Sequence, residues 1–392
     1  MVHLLTLGFG AMIMIGAMIQ VLPVISGQSI PAAGRLSPWI KLGLGLGTLT
    51  LSAGFVLTDT RLFWLAAPLL SLSFIAFLFA AAIALIRVKS RGESIFCLRL
   101  AALSLLSTII FGALQLSTYM DMQWISYSFE RTNVHAMVGL LGWCLLLVMG
   151  VSFQVIPMFH VTPAYPRWFC RVLCITVVII LIVTMLAEQQ VADAILWCAP
   201  LILMLYAGFS LFTLSQRKRK LIDYTVRFWQ LAFSQLILVS LLYLFHKLGV
   251  ALPFENKHMV LVLGFGFGFG FVISVMLGML QKIVPFLMYL HLQRACIHDP
   301  AAFMKLPNMK QLLPTVASKW QFRLHCAALG FLYLSFFGGE YQQLSVMIAA
   351  SLMFADFAWL LKTLLQANTH YTKSLPCQPT EPLAGNQSLS VN

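Results

Sequence analysis

Val134-His135-Ala-Met-Val-Gly-Leu-Leu-Gly-Trp-Cys-Leu-Leu-Leu-Val-Met-Gly150-Val-Ser-Phe-Gln154-Val-Ile-Pro157 runs for 24 residues without an Asp, Glu, Lys or Arg. Helices rise 1.5 Å per residue, so this stretch is long enough to cross the roughly 30 Å hydrocarbon core of a bilayer. Its closing phrase occurs twice more, as Gly16-Ala-Met-Ile-Gln20-Val-Leu-Pro23 and as Gly278-Met-Leu-Gln281-Lys-Ile-Val-Pro285. Each of the three segments carries one histidine near its start, His3, His135 and His258, separated by 132 and 123 residues. That spacing predicts a four-helix unit used about three times, over about 1–118, 134–248 and 258–366, with the last copy incomplete.

Working outward, a chain of 392 residues that is 60% hydrophobic and 9% charged, with mean hydropathy +0.90, is no ordinary soluble globule. Apolar stretches of spanning length occur at about 3–26, 38–58, 62–87, 96–118, 134–157, 168–187, 191–214, 225–248, 258–290, 321–338 and 343–366. Barrel strands would read as alternating segments of about ten residues, so these runs predict helices. The expectation is an all-α membrane protein of about 11 transmembrane helices in one domain over 1–366, followed by a disordered cytoplasmic tail over 367–392. The first segment has no basic leader or small-residue cleavage site and reads as a retained span.

The net charge of +13 is a matter of topology. With eleven spans, 20 of the basic residues fall in one set of loops and 4, Arg61, Arg131, Lys247 and Lys257, in the other, with Lys282 left inside a span. Positive residues collect on the cytoplasmic side, which puts the N-terminus in the periplasm and the C-terminus in the cytoplasm of a bacterial inner membrane. The basic balance is then topology and not nucleic-acid binding, and the run Arg217-Lys-Arg-Lys220 reads as an orientation anchor rather than a site for anionic lipid head groups. The eight cysteines form no CxxC pair and read as packing residues, Cys170 and Cys174 sharing a helix face at i, i+4.

The first, fifth and ninth spans run in the same direction, so their histidines share one membrane face. Within each segment glycine permits close approach, glutamine needs a partner in hydrocarbon and proline is expected to close the helix. Ligand-capable residues in membrane spans are functional candidates by default, and neutral imidazole binds metals and haem iron. Counted back from the repeated glycine, the histidines lie 13, 15 and 20 residues away, so His258 departs most from the common register. The run Gly264-Phe-Gly-Phe-Gly-Phe-Gly-Phe271 behind it presents a smooth glycine surface.

Histidine near the outer end of a helix, a glycine-rich middle and a closing Gln-x-hydrophobic-Pro resemble the haem-ligand helices of the haem-copper oxidase and nitric oxide reductase large subunits, and NnrS membrane proteins look similar. That fold has three four-helix arcs with ligand helices second, sixth and tenth. Removing one N-terminal helix makes these the first, fifth and ninth. The resemblance implies a subunit I-like bundle in which His3 is a low-spin haem ligand, His135 belongs to a copper or non-haem iron site, and His258 is a second haem ligand. Four residues after His135, however, this chain has Gly139 where the oxidases carry Tyr and the reductases Glu, and no neighbouring His-His pair follows. The ligands of a binuclear centre are incomplete, so the resemblance implies redox relay, sensing or a nitric oxide response more than catalysis, with haem, and copper or another second metal beside it, as cofactors and an electron donor or small gaseous ligand as partner.

His160 and His291, just beyond the repeated prolines, are further metal-ligand candidates at the cytoplasmic ends of their helices. His246 and His325 read as helix-end residues, while His298 and His370 read as solvated. Asp356 and Lys282 are the two clear intramembrane charges and suit one another as an ion pair. With Gln20, Gln115, Gln154, Gln235 and Gln281 they suggest a polar path. The alternative function on these residues is a transporter or permease coupled through Asp356 and Lys282, its histidines structural.

Overall fold

The computed structural model describes residues 2–90, 92–122, 128–218, 220–297 and 299–375. His298 and Cys377, and the tail beyond 375, lie outside them. Among the described residues the chain is helical without strands. The long helices are α1 (Leu4–Ser26), α2 (Ala33–Leu57), α3 (Thr60–Arg87), α4 (Glu93–Tyr119), α5 (Arg131–His160), α6 (Arg167–Leu186), α7 (Gln190–Ser215), α8 (Tyr224–Lys247), α9 (Asn256–Ala295), α10 (Thr315–Leu334) and α11 (Gln342–Lys373).

Ten of them are long and apolar enough to cross a membrane, which makes this a multi-pass membrane protein. The exception, α10, is 20 residues long, but Lys319, Gln321, Arg323 and His325 interrupt its apolar sequence. It begins six residues before the expected 321–338 span and ends four before it; Gly338 and Gly339, at φ +75° and +85°, turn the chain toward α11. α11 also continues to Lys373, through the first residues expected to begin the tail.

The three histidine-bearing helices share a feature absent from their apolar periodicity. Each contains an eight-residue π-helical stretch: Leu4–Ala11 in α1, Val138–Leu145 in α5 and Gly266–Ile273 in α9. Every stretch begins 19 residues before the repeated proline, and a glycine-aromatic pair stands at one register within it: Gly8-Phe9, Gly142-Trp143 and Gly270-Phe271. π-helical turns are rare and concentrate at functional sites. The prolines do not close their helices, contrary to the expectation above. Pro23, Pro157 and Pro285 are all interior, and α1 closes instead at Gly27, whose φ of +71° lets its N–H reach the Pro23 carbonyl at 2.9 Å. Membrane helices tolerate such prolines because neighbouring groups satisfy the freed backbone.

The chain divides into two packed units. The first comprises residues 1–222, 226–276 and 336–339. Lipid provides little hydrophobic drive between helices, so close packing by small residues holds them. On α2, a Cβ added at Gly47 would stand 2.8 Å from Leu70 of α3, and one at Gly54 2.7 Å from the Phe63 ring. The α4–α5 seam works in the same way: Gly150 faces Cys97, Gly142 faces Ser104 and Gly139 faces Thr108. Gly139 therefore has a packing role. Behind this seam, Tyr206, Phe233 and Trp229 form a buried aromatic column with centroid spacings of 5.4 and 5.3 Å.

The second unit comprises residues 223–225, 277–335 and the chain from 340. Its centre is the antiparallel pair α10–α11, pinned by Trp359, whose indole N–H donates to the Ala317 carbonyl at 3.0 Å. The loop before α10 folds into two short helices, Pro300–Met304 and Met309–Leu312. Asp299 caps the first, and an Asn308–Gln311 capping box starts the second.

Candidate functional site

His3 occupies the N-cap of α1, and His135 lies three residues before the π-helical stretch of α5. The structure brings these two together, with ring centroids 6.4 Å apart and planes tilted by 35°. Metal–imidazole bonds are about 2.0–2.1 Å, so two rings on opposite sides of one ion stand ~6 Å apart between centres. His3 also stacks on Phe55 of α2, at 6.1 Å and 11°. Phe55 meets Phe63 of α3 and Tyr119 of α4 at 5.0 and 5.1 Å, which closes an aromatic wall behind the pair.

His135 rests on Gly112 of α4, where a Cβ would come 3.1 Å from its Cε1. Its Nδ1 is buried and has no hydrogen-bond partner among the described residues. One turn further along α4, Gln115 accepts from the Thr132 hydroxyl at 3.0 Å and donates to the Arg131 carbonyl at 3.3 Å, tying α4 to the start of α5. An unpaired buried imidazole nitrogen costs free energy unless something occupies it. The glycine bed, the facing imidazole and this orphaned nitrogen fit a metal or haem iron carried by two histidines.

The third histidine takes no part in such a group. His258 ends the single 3-10 turn that opens α9, and its ring lies against Phe336 at 6.3 Å. Its Nδ1 is likewise buried and unpartnered among the described residues. No cluster of three or more His, Cys, Asp or Glu side chains with metal-binding spacing occurs among the described residues. His160, buried at the last position of α5, lies 25 residues beyond His135, or ~37 Å along the helix axis. His291 of α9 is engaged with Tyr371 of α11 through a hydrogen bond between ring Nδ1 and the phenol oxygen and a stacking contact at 5.7 Å.

The polar candidates separate in a similar manner. Gln20 and Gln154 are exposed on their helices, whereas Gln281 is buried with both amide atoms unpartnered among the described residues. The expected Asp356–Lys282 pair does not form, because each finds another partner. Lys282 binds Asp223 at 3.0 Å, and Asp356 binds His325 Nδ1 at 2.8 Å and Gln321 Nε2 at 2.5 Å. His325 is correspondingly a fully buried residue in the body of α10 and not a helix-end residue. The i, i+4 spacing of Gln321 and His325, which puts two polar groups on one helix face, was the available sequence signal.

The cysteines also pair across helices. Cys174 Sγ of α6 lies 2.8 Å from Cys97 Sγ of α4, and the Cys97 thiol donates to the Leu146 carbonyl at 3.1 Å. No protein-family model matches this chain, and no curated protein matches it.

Proposed function

We propose that this protein of a bacterial inner membrane holds haem iron, or copper, between His3 and His135 and serves as an electron relay or in a nitric oxide response. Its N-terminus is periplasmic and its C-terminus cytoplasmic, with α10 as the eleventh crossing; the uneven division of loop Lys and Arg supports this orientation. The carrying observation is the facing imidazole pair at 6.4 Å on two helices of like direction. The resemblance of the three histidine helices to those of the haem-copper oxidases and NnrS proteins points the same way. That resemblance paired His3 with His258; the geometry favours pairing His3 with His135.

Bound there, the metal supplies one-electron redox chemistry. The residues of this chain position it: Gly112 leaves room beside His135, Phe55 stacks on the His3 ring, and Phe63 and Tyr119 hold Phe55 in place. Oxygen or nitric oxide reduction of the oxidase kind needs several fixed ligands on a second metal. Two imidazoles suit a relay or a sensor better, with an external electron donor or a small gas as partner.

Detergent-purified protein from haem- and copper-replete cells tests the reading. The expected result is a Soret band that sharpens on reduction, or stoichiometric copper. His3→Ala and His135→Ala should each abolish it, and His258→Ala should leave it intact. Colourless, metal-free wild-type protein would overturn the proposal. A permease is the second reading, favoured by the buried Asp356 and half-buried Lys282. Loss of substrate flux in Asp356→Asn at unchanged expression is its signature.

A further inference from the structure

Between Asn308 and Leu375 the chain carries Lys310, Lys319, Arg323, Lys362 and Lys373 against two acids, Glu340 and Asp356. α10 and α11 run antiparallel, so these basic residues gather at one end of the pair, where α10 begins and α11 stops. Neither acid answers them. Asp356 is buried and held by Gln321 and His325, and Glu340 stands at the opposite end, where the chain turns into α11.

At the basic end a groove of about 570 Å³ opens along α11. Small-molecule sites enclose about 300–1,000 Å³, so the groove is of ligand size. Pro314, just before α10, lines it together with Leu361, Lys362, Leu365, Gln366 and His370 of α11, all exposed. These α11 positions recur at helical spacing and form one stripe. Lys373 extends the stripe about three turns beyond Lys362. Lys362 Nζ lies 4.9 Å from the centre of the Trp359 ring, and the Arg323 guanidinium lies 5.0 Å from that of Trp320. In a multi-pass membrane protein, tryptophan beside a basic residue marks the depth of the membrane–water interface.

We propose that this groove binds an anionic phospholipid, with an acyl chain against Leu361 and Leu365 and the headgroup phosphate at Lys362. The stripe is apolar and cationic by turns, and its occupant must match both. A free phosphate leaves the leucines uncovered. A zwitterionic lipid brings a second positive charge among the lysines. Another copy of this chain brings its own basic stripe, and like charges facing one another oppose the contact. Basic residues near the membrane surface attract anionic lipid in this way. The inference rests on the membrane-spanning helices alone and on neither functional reading above.

The test is native mass spectrometry of the delipidated full-length protein in detergent, titrated with phosphatidylglycerol or with phosphatidylcholine of the same chains. Phosphatidylglycerol should bind at concentrations at which phosphatidylcholine does not. Lys362→Gln should weaken that binding about fivefold, the share of one lysine beside anionic lipid, and Lys362→Arg should keep it. Gln366→Glu gives Lys362 a carboxylate partner one turn away and should weaken it at least as much. Both positions are exposed, so the variants should unfold at the wild-type temperature. Lys89→Gln, exposed in the loop between α3 and α4, should bind as wild type does. No binding, equal wild-type affinity for the two lipids, or an affinity that either weakening variant leaves unchanged would overturn the proposal. An equal loss in Lys89→Gln would trace the effect to overall charge and overturn it too, as would a dimer that excludes the lipid.

Discussion

The two histidine pairs stand in opposite chemical situations. In the first unit, His3 and His135 face one another among aromatic rings, and the His135 Nδ1 lacks a partner among the described residues. In the second, His325 is fully buried, where His3 and His135 are half-buried, and it is bonded to a carboxylate that a glutamine also holds. Depth of burial and the partner together separate the two. An imidazole nitrogen without a partner keeps its lone pair open to a Lewis acid, whereas one bonded to a carboxylate is already committed.

The largest expected effect breaks the second pair. Asp356→Ala leaves the His325 and Gln321 donors without their carboxylate, and removing one partner of such a buried group costs about 3–5 kcal/mol. Denaturant or thermal unfolding in detergent measures it. A loss below 1 kcal/mol would mean that His325 and Asp356 are not the desolvated pair their geometry describes.

Against the first pair the probe is Gly112→Ala. The new methyl meets His135 Cε1 at 3.1 Å and must displace the ring by a few tenths of an ångström. Changes in the shell that orients a ligand lower metal affinity by about 10–100-fold. Metal or haem titration reads that loss, while the unfolding midpoint should hardly move. Unaltered affinity would show that His135 is not a ligand.

His135→Leu sharpens the contrast further. Measured on metal-free protein, it should change stability by no more than about 1 kcal/mol, and in the stabilising direction, since it removes an unpaired buried polar group. The comparison fails if His135→Leu destabilises metal-free protein as severely as Asp356→Ala.

The spans were legible in the sequence because length and apolarity are what a bilayer demands; each expected stretch overlaps a helix, although α10 is too polar to qualify as the others do. The π-helical stretches were not legible, since they leave hydropathy untouched and arise from how the backbone packs. Only the glycine-aromatic pair at a constant distance from proline marked them. Asp356's partners, 31 and 35 residues away in the chain, were hidden because hydropathy and spacing cannot choose among distant polar side chains.

The smallest effect belongs to the pair that most resembles Asp356–His325 on paper. Lys282 and Asp223 lie 3.0 Å apart, yet their side chains remain 27% and 30% exposed. Two flexible groups in that setting lose side-chain entropy on pairing and are partly screened, which leaves about 0–1 kcal/mol. Lys282→Gln should therefore alter stability by less than about 1 kcal/mol in detergent. A loss of 3 kcal/mol or more would place this pair in the same desolvated class as Asp356–His325. Partial exposure would then be a poor guide to which intramembrane charges carry a cost, and the line drawn between the two kinds of pair would have to be redrawn on burial of the whole group.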